Sequence, residues 1–531
     1  MINQRKDHSI LKVILLSFTL ITLLFIAGCN NQSTETEIGD RQVKENKRFT
    51  RIEVSFPVEI HPEPITARVL LFASRSDARE PRFFNTFNLQ PVYAIDVTNF
   101  KPEQKLVFSA DMFYVSPGSL FFPNWYIDGG TYYLQTLIDL DNTSPDFNFG
   151  PGNLYSQVIE CIWPMSTVEK IELVTDRVIE GKTTPEDADR IKLVEIRSNL
   201  LSDFYSRDFK LRAGVVLPDN YNKEGERQFP TLYRIPGFGN DHTDAWRQQE
   251  QNSMQFIQVY LDPTVPLGHS VFADSANNGP CGEALIKEFI PEIEKRFRVI
   301  PHAYGRFVTG HSSGGWSSLW LQITYPDVFG GCWSLAPDPV DFRAFQTINI
   351  YEDRNGHWTP EGYPRPHSRR ENNVRTTFGQ INRWEYVVGY GFNLDSFNAV
   401  FSPRGADGRP LPIMDKLTGT IDHEVAEYWK HYDIRIILEE KWPSLGPKLK
   451  GKIHLIAGAW DTVYLNNAVE YLNDFLKTTD YGGYVEIHPG NHSTFMTDQL
   501  LKRIEKEMAK QFAAEQKEFQ KENNMQSQKR S

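Results

Sequence analysis

Gly310-His311-Ser312-Ser313-Gly314 is a G-x-S-x-G pentapeptide that stands between a strand signal and a helix signal. The apolar run Phe307–Val308 precedes it, and an apolar spacing typical of a helix runs from Trp316 to Ile323. A serine at such a turn is forced into a strained conformation, which flanking glycines permit because a Cβ there would meet the adjoining strand or helix. The pattern therefore predicts an exposed, nucleophilic Ser312.

The length and composition indicate a globular protein of two domains. At 531 residues the chain exceeds what one hydrophobic core usually holds. Hydrophobic residues make up 40% and charged residues 24%, which are ordinary values. The net charge is -11, and basic residues cluster only at the extreme N-terminus and in the tail, which argues against nucleic-acid binding.

The first 29 residues have the organisation of a targeting segment. Basic residues occur between Arg5 and Lys12, an apolar run covers residues 13–25, and small residues precede Cys29. This arrangement resembles the lipobox of bacterial lipoproteins, which implies a signal peptide over residues 1–28 and lipidation of Cys29. A transmembrane anchor is the alternative, but the apolar run is shorter than the ~20 residues that a span needs.

The residues after Cys29 extend this interpretation. Residues 29–48 are polar and predict a flexible tether. Position 30 is Asn30 and not aspartate, which by resemblance to lipoprotein sorting in Gram-negative bacteria implies the outer membrane. The expected partners are an ester substrate and a membrane, held through the lipid at Cys29.

Residues 49–180 have the pattern of β-strands. Apolar residues alternate with polar ones over 52–60, 67–73 and 132–140, with Pro- and Gly-containing turns between the runs. Regular short strands without a helical period predict an all-β, immunoglobulin-like sandwich. Residues 181–190 then predict a linker.

Residues 190–515 alternate strand and helix signals, which predicts the α/β class. Strands are expected near 231–235, 332–335, 453–457 and 484–487, and a last helix begins near Asp498. Alternation of this kind is typical of a mostly parallel sheet covered by helices on both faces. Residues 516–531 are charged and predict a frayed polar tail.

A long interruption, residues 337–448, separates two of these strands. It shows no core of its own and leaves the carboxyl edge of a strand, which favours a cap-like insert over the site. Its aromatic and arginine side chains suit stacking and the binding of anionic groups. They are Trp358, Arg369, Arg370, Trp384, Tyr386 and Trp429. For Trp384 and Trp429, a place in the insert's own core is an equally good interpretation.

A nucleophilic serine needs a base in contact with it and an acid that orients the base. Asp461 and His492 each follow a predicted strand, so both lie at the edge of the sheet where Ser312 is expected. For Asp461 the alternative is a helix N-cap. For the base the alternative is His488, at the end of a strand, but His492 lies in a loop with the freedom to reach the serine.

The remaining parts of a serine hydrolase site have candidates too. The backbone N–H of Ser313 and that of Phe238, with Gly239 as the alternative, predict an oxyanion hole whose donors contribute roughly 3 kcal/mol each. His242 and His311 are weaker candidates for the base. Asp, His and Cys nowhere occur at the spacing of metal ligands, so neither a metal nor another cofactor is expected.

Four segments together resemble the putative esterase (esterase D-like) family of α/β-hydrolases. They are residues 236–239, 273–280, 307–315 and 489–492. The resemblance covers about residues 190–510 and implies an α/β-hydrolase fold with the triad Ser312, Asp461 and His492. An all-β domain before such an esterase domain is also similar to siderophore and carbohydrate esterases.

This resemblance implies hydrolysis of a carboxylic ester, in the family an acylated carbohydrate, a feruloyl ester or a siderophore ester. The chain departs from the family pattern in its long insert and in Arg234-Ile235-Pro236, where the family usually has a histidine. Both departures concern the substrate. An acyltransferase with the same triad and a non-catalytic surface protein that binds carbohydrate are the alternatives.

Two further cysteines are predicted to lie at opposite edges of the sheet. Cys281 begins a helix at the carboxyl edge, whereas Cys332 begins a strand at the other edge. A disulfide needs Cα atoms about 6 Å apart. We therefore expect no bridge between them.

Overall fold

The computed structural model describes residues 51–83, 90–108, 130–163, 170–223, 225–247, 255–389 and 391–530. The predicted signal peptide, the tether and Cys29 lie outside the described residues. Across the described ranges, no helix combines the length and the apolar character that a membrane span requires.

In the described residues of the N-terminal β region, nine strands occur. They are β1 Arg51–Ser55, β2 Ile65–Ser74, β3 Val92–Phe100, β4 Leu106–Phe108, β5 Gly130–Asp139, β6 Leu154–Tyr155, β7 Ile159–Trp163, β8 Lys170–Val174 and β9 Arg177–Val178. One sheet has the order β4-β1-β8, and the other has the order β3-β2-β5-β6-β9 with β7 on β5. Alternate side chains of both sheets, such as Val54 and Val69, share one buried core.

In the described residues after 190, the main sheet has eight strands in the order β10-β11-β13-β12-β18-β19-β22-β23. Its strands are β10 Ile191–Arg197, β11 Lys210–Val216, β12 Thr231–Ile235, β13 Ile257–Leu261, β18 Arg306–His311, β19 Gly331–Leu335, β22 Ile453–Gly458 and β23 Tyr484–His488. Short hairpins add β14 Thr264–Val265, β15 Gly268–His269, β16 Asp274–Ser275, β17 Gly279–Pro280, β20 Pro366–Arg370 and β21 Asn373–Thr377. From β13 to β23 every pairing in the main sheet is parallel, as the α/β pattern predicts.

Helices cover both faces of this sheet. They are α1 Asn199–Tyr205, α2 Asp244–Arg247, α3 Cys281–Ala284, α4 Ile290–Arg296, α5 Ser313–Thr324, α6 Phe378–Val388, α7 Asn393–Phe401, α8 His423–Trp429, α9 Ile434–Leu449, α10 Asn466–Leu476 and α11 Asp498–Arg530. In β18, Val308 points into the larger core with α5, while Phe307 points to the opposite face, where α11 packs. The α/β class predicted from the sequence is thereby confirmed.

The interruption between β19 and β22 is shorter than predicted. Helix α9, which falls in the predicted insert 337–448, packs against α5 and is the crossover helix that a parallel β19–β22 pair requires. The insert proper therefore ends before Ile434. Its apolar residues, such as Phe342 and Trp429, join the main core of the α/β part and do not form a separate one.

Helix α6 of the insert connects the two parts of the chain. Its Trp384, 1% exposed, packs with Leu70, Phe72 and Phe147 of the N-terminal β region. Arg68 of β2 donates hydrogen bonds to the carbonyl groups of Tyr386 and Val387 at the end of the helix, at 2.9 and 3.2 Å. Because each large apolar side chain buried here contributes ~1.5–3 kcal/mol, this junction holds the β region against the insert.

The predicted frayed tail, residues 516–531, is wrong in one respect. Helix α11 continues through this segment to Arg530. Phe519 packs on the rings of His302 and Tyr304, with centroids 4.4 and 5.0 Å away. Through these two ring contacts, Phe519 extends the packed face of the helix beyond the point where the apolar periodicity of the sequence fades.

Candidate active site

Ser312 occupies a sharp turn between β18 and α5. Its backbone has φ 60° and ψ -123°, a left-handed conformation that side chains rarely adopt. A Cβ on Gly314 would lie 1.9 Å from the carbonyl oxygen of Ile235, and one on Gly310 would lie 2.2 Å from that of Gly314. Only glycine fits at both positions, so the strand, the turn and the helix close tightly enough to project the serine from the sheet edge.

Asp461 and His492 meet at the same edge. The Nδ1–H of His492 donates to Oδ2 of Asp461 at 2.7 Å, and the carboxylate is fully buried. Its other oxygen, Oδ1, accepts hydrogen bonds from the backbone N–H groups of Val463 and Leu465, at 2.9 and 3.3 Å. Asp461 therefore caps the turn before α10 and also orients the imidazole, so the two interpretations of this residue are compatible.

The other histidines that were candidates for the base have partners of their own. His488, the last residue of β23, bonds to Glu486 of the same strand at 2.7 Å. The Nε2–H of His311 donates to the backbone carbonyl of His492 at 2.7 Å, and the two rings lie 4.4 Å apart. His242 pairs with Asp262. Of the three, His311 contributes to the site by holding the loop that carries His492.

The surroundings shift the pKa values of His492 and His311 in opposite directions. Burial alone lowers the pKa of His492, but the hydrogen bond and charge of Asp461, together with the charge of Asp338, raise it above the ordinary value. Burial lowers the pKa of His311 to about 4, so this neighbour is neutral near pH 7. The imidazole paired with Asp461 is thus the more basic of the two.

Asp338 is a second buried carboxylate at this edge and lies beside Ser312, although the sequence did not single it out. Its Oδ2 accepts from the Ser313 hydroxyl at 2.6 Å, and its Oδ1 lies 3.5 Å from Ser312 Oγ. Its backbone N–H donates to the carbonyl of Ser312 at 3.2 Å. Burial raises the pKa of Asp338 to about 6, although the Ser313 hydrogen bond opposes the shift.

A signal for Asp338 was present in the sequence. It follows β19, which is the next parallel strand beside β18, and the carboxyl ends of parallel strands meet at one edge. An acidic residue three positions past such a strand could have been considered together with Asp461. Because Asp338 is the second residue of the predicted insert, it was interpreted as part of the insert and not of the site.

The loop after β12 lies against Ser312. A Cβ on Gly237 would lie 3.4 Å from the Cβ of Ser312 and 3.2 Å from the carbonyl oxygen of His311. Phe238 and Gly239 follow directly, half-buried and exposed respectively. Ser313 is the first residue of α5, where backbone N–H groups have no partner within the helix. The candidate oxyanion donors are therefore close to Ser312 in the chain or in space.

His269 supports this loop from behind. Its Nδ1 accepts from the N–H of Val271 at 3.0 Å, so its Nε2 carries the proton and donates to the carbonyl of Pro236, also at 3.0 Å. Burial lowers the pKa of His269 to about 4, which keeps the ring neutral. This hydrogen bond anchors Pro236, the residue that precedes Gly237.

Two further observations concern possible metal ligands and the cysteines. No group of His, Cys, Asp or Glu able to hold a metal ion occurs in the described part of the chain. Cys281 and Cys332 are free and buried, at the start of α3 and within β19.

Comparisons with known proteins give one family. A family model described as putative esterase matches residues 207–375. The match confirms the predicted resemblance and supports a serine ester hydrolase. No curated protein matches the chain significantly.

Solved structures of esterases are similar at low sequence identity. The fluorophosphonate-binding serine hydrolase F of Staphylococcus aureus has 16% identity and a TM-score of 0.36, covering 60% of this chain and 97% of that chain. An S-formylglutathione hydrolase from Agrobacterium tumefaciens has 14% identity and a TM-score of 0.37, covering 61% and 95%. A ferulic acid esterase from Anaeromyces mucronatus has 12% identity and a TM-score of 0.29, covering 59% and 88%.

Proposed function

We propose that this protein hydrolyses a carboxylic ester through the triad Ser312, His492 and Asp461 and a covalent acyl-enzyme. The observation that carries the proposal is the 2.7 Å hydrogen bond between His492 and buried Asp461, at the sheet edge from which the strained Ser312 projects. A nucleophile on a glycine-flanked elbow, a base on a loop and a buried acid are what acyl transfer requires.

The chemistry follows from these positions. The Nε2 of His492 is the free nitrogen, because Nδ1–H is held by Asp461, and it takes the Ser312 proton as Oγ attacks the ester carbonyl. The N–H groups of Ser313 and of Phe238 or Gly239 then stabilise the oxyanion. His492 returns the proton to the leaving alcohol, and water, activated by the same imidazole, releases the acid from Ser312.

Asp338 has a distinct place in this mechanism. Its ionised carboxylate raises the pKa of His492, after the lowering effect of burial and the larger contribution of Asp461. It also attracts the Ser312 hydroxyl, so it holds the nucleophile until substrate enters. We assign it a positioning role beside the triad.

A fluorophosphonate probe tests the assignment directly. Wild-type protein should be labelled at Ser312 and should hydrolyse 4-nitrophenyl acetate, whereas Ser312→Ala and His492→Gln should lose both properties. His488→Gln is the matched control, because that ring bonds to Glu486 on the same strand. If the wild-type protein shows a thermal unfolding transition, and so is folded, but is not labelled by the probe, the protein is a binding protein and not an enzyme.

We further propose that the chain is a lipoprotein of the bacterial envelope, anchored through Cys29 in the outer membrane. The small residues before Cys29, and Asn30 after it, support this proposal. The N-terminal β region would be an immunoglobulin-like sandwich that carries the esterase part away from the membrane. Cys29→Ala should leave the protein unprocessed or released; the mature mass in the membrane fraction would contradict the anchor.

A further inference from the structure

Asp338 stands between two prolines in the segment Pro337-Asp338-Pro339, which follows β19. The ring of Pro337 fixes its own φ, and Pro339 restricts Asp338 to extended backbone. The N–H of Asp338 donates to the carbonyl of Ser312 at 3.2 Å. A Cβ on Gly315 of α5 would lie 2.9 Å from the Cα of Pro337, so the segment packs directly on the helix after the elbow. The carboxylate is therefore held rigidly beside Ser312.

The two carboxylate oxygens of Asp338 have different partners. Oδ2 accepts a hydrogen bond from the Ser313 hydroxyl at 2.6 Å, which fixes the orientation of the group. Oδ1 faces Ser312 Oγ at 3.5 Å, the outer limit of a hydrogen bond, and has no other donor among the described residues. Asp338 is only 6% exposed. Oδ1 is thus an almost unsatisfied acceptor that a ligand at Ser312 would meet.

No lysine or arginine pairs with Asp338 in the part of the chain that the structure describes. The guanidinium of Arg369 bonds to the backbone carbonyl of Asp461 and to Asn466, and not to either carboxylate. His492 offsets the charge of Asp338 only when it is protonated, whereas the base of the reaction must be neutral. The active form of the site therefore contains two carboxylates and lacks a paired lysine or arginine.

Acylation would remove the donor that Oδ1 of Asp338 has. As Ser312 Oγ forms its bond to the acyl carbon, the Oγ proton passes to His492 and from there to the leaving alcohol. Oγ is then an ester oxygen, which donates no hydrogen bond. Oδ1 would face this oxygen without a partner, and a buried carboxylate without a partner is strongly destabilised. A donor carried by the substrate removes this penalty.

The position of Oδ1 indicates which atom of the substrate carries this donor. The leaving alcohol has departed when the acyl-enzyme exists, so the donor belongs to the acyl group. By standard bond lengths, a substituent on the carbon next to the carbonyl lies ~3 Å from the ester oxygen. Oδ1 of Asp338 lies 3.5 Å from Ser312 Oγ. A charge-assisted hydrogen bond of ~2.8 Å from this substituent to Oδ1 fits both distances.

The charge of the site favours an ammonium group as this substituent. Although burial raises the pKa of Asp338 to about 6, the carboxylate is mostly ionised at pH 7. A hydrogen bond between two ionised groups is about twice as strong as one between neutral groups, and opposite charges attract more strongly in a site of low dielectric constant. An anionic acyl group would instead face the like charge of Asp338.

We propose that Asp338 binds the α-ammonium group of an aminoacyl ester and so determines specificity for an acyl part that is an amino acid with a free amino group. The proposal rests on the proposed esterase activity and names the acyl class for the same site. Ser312 Oγ forms the bond to the aminoacyl carbon, and the alcohol leaves with the proton that His492 returns. Water then adds to this carbon, which releases the amino acid and restores the Ser312 hydroxyl.

Three benzyl esters with the same leaving alcohol test the proposal. They are alanine benzyl ester, benzyl isobutyrate, in which a methyl group replaces the ammonium, and N-acetylalanine benzyl ester, which keeps an N–H without the charge. The assay is at pH 7, below the pKa of ~7.7–8.0 of an α-amino group. Wild-type protein should have a kcat/KM for alanine benzyl ester at least tenfold above that for each of the other two.

Asp338→Asn tests whether the carboxylate causes this preference. The substitution also removes a charge that raises the pKa of His492, which affects the rate with every ester. The ratio of kcat/KM for alanine benzyl ester to that for benzyl isobutyrate cancels this shared effect, and it should fall to within about threefold of one. Asp498→Asn is the matched control, because it removes the same charge at an exposed position at the start of α11. Its ratio should stay within twofold of wild type.

The outcomes separate the two proposals. Wild-type protein that is labelled by a fluorophosphonate and hydrolyses 4-nitrophenyl acetate, but lacks the tenfold preference, overturns the aminoacyl proposal and leaves the esterase. An unchanged ratio in Asp338→Asn, or equal kcat/KM for the alanine and N-acetylalanine esters, also overturns it. Wild-type protein that is neither labelled nor active on any of these esters overturns both. If thermal unfolding shows that Asp338→Asn is not folded, the comparison of the three esters with wild-type protein decides.

Discussion

The guanidinium of Arg369 donates from Nε to the backbone carbonyl of Asp461 across 2.9 Å. Its Nη2 reaches Asn466 Oδ1 at 3.1 Å, and the group lies over the ring of Tyr464, 4.4 Å from the centroid. An arginine that the sequence suggested for anionic substrate groups is therefore bonded to the loop of the proposed catalytic acid, Asp461. Strand β20 of the insert thus supports the loop that carries one member of the proposed triad.

Replacing Arg369 should disturb catalysis without unfolding the protein. Arg369→Ala frees the acid loop, and because a displacement of about 1 Å can cost ~100-fold, we expect kcat for 4-nitrophenyl acetate to fall ten- to a hundredfold. Arg370→Ala is the control, since that side chain is exposed beside it. Identical kcat values for the two variants, measured with matched melting temperatures, would leave Arg369 without a role in positioning Asp461.

Asp338→Asn should move the pH profile. The ionised carboxylate of Asp338 raises the pKa of His492, so its removal lowers that pKa, and the base stays neutral at lower pH. The acid limb of kcat/KM should shift down by about half to one pH unit. The other groups facing the imidazole are unchanged: Asp461 keeps its hydrogen bond, and His311 is neutral. A lower rate with an unmoved limb would indicate a purely structural role.

Gly314→Ala should prevent the elbow from closing. The added Cβ would lie 1.9 Å from the Ile235 carbonyl oxygen, so either β12 or α5 must move. We expect the free energy of unfolding to fall by about 3 kcal/mol or more, at the upper end of overpacking. Gly379→Ala is the control, because its Cβ would meet His357 at an ordinary 3.5 Å. Chemical denaturation of both variants checks this; equal midpoints would refute the steric account.

The contribution of each aromatic residue of the insert to the free energy of unfolding should depend on how deeply it is buried. Trp384 is 1% exposed in the junction with the β region, whereas Trp358 is 50% exposed. Trp384→Ala should lower the free energy of unfolding by ~3–5 kcal/mol, and Trp358→Ala by less than ~0.5 kcal/mol. A comparable loss in both variants would show that the junction contributes little.

The predicted triad residues were found from local signals. Glycines around Ser312, and polar loops directly after apolar strands at Asp461 and His492, follow from steric and hydrogen-bonding needs within a few residues. The α/β class followed in the same way from the alternation of strand and helix patterns. The predicted end of the insert, residue 448, lies too far along the chain. Pro443 and Pro447 interrupt the apolar stripe of α9, so its sequence does not show the pattern of a crossover helix.

Sequence patterns alone therefore sufficed for the class of fold, the elbow and three candidate catalytic side chains, since each depends on short-range geometry that a few neighbouring residues impose. The tertiary structure alone decided that Asp338 meets Ser313, that Arg369 reaches Asp461, and that Arg68 of the β region reaches Tyr386 of the insert. These contacts join residues from 25 to more than 300 positions apart. They depend on which strands become neighbours and on which apolar faces pack, and no local pattern records either.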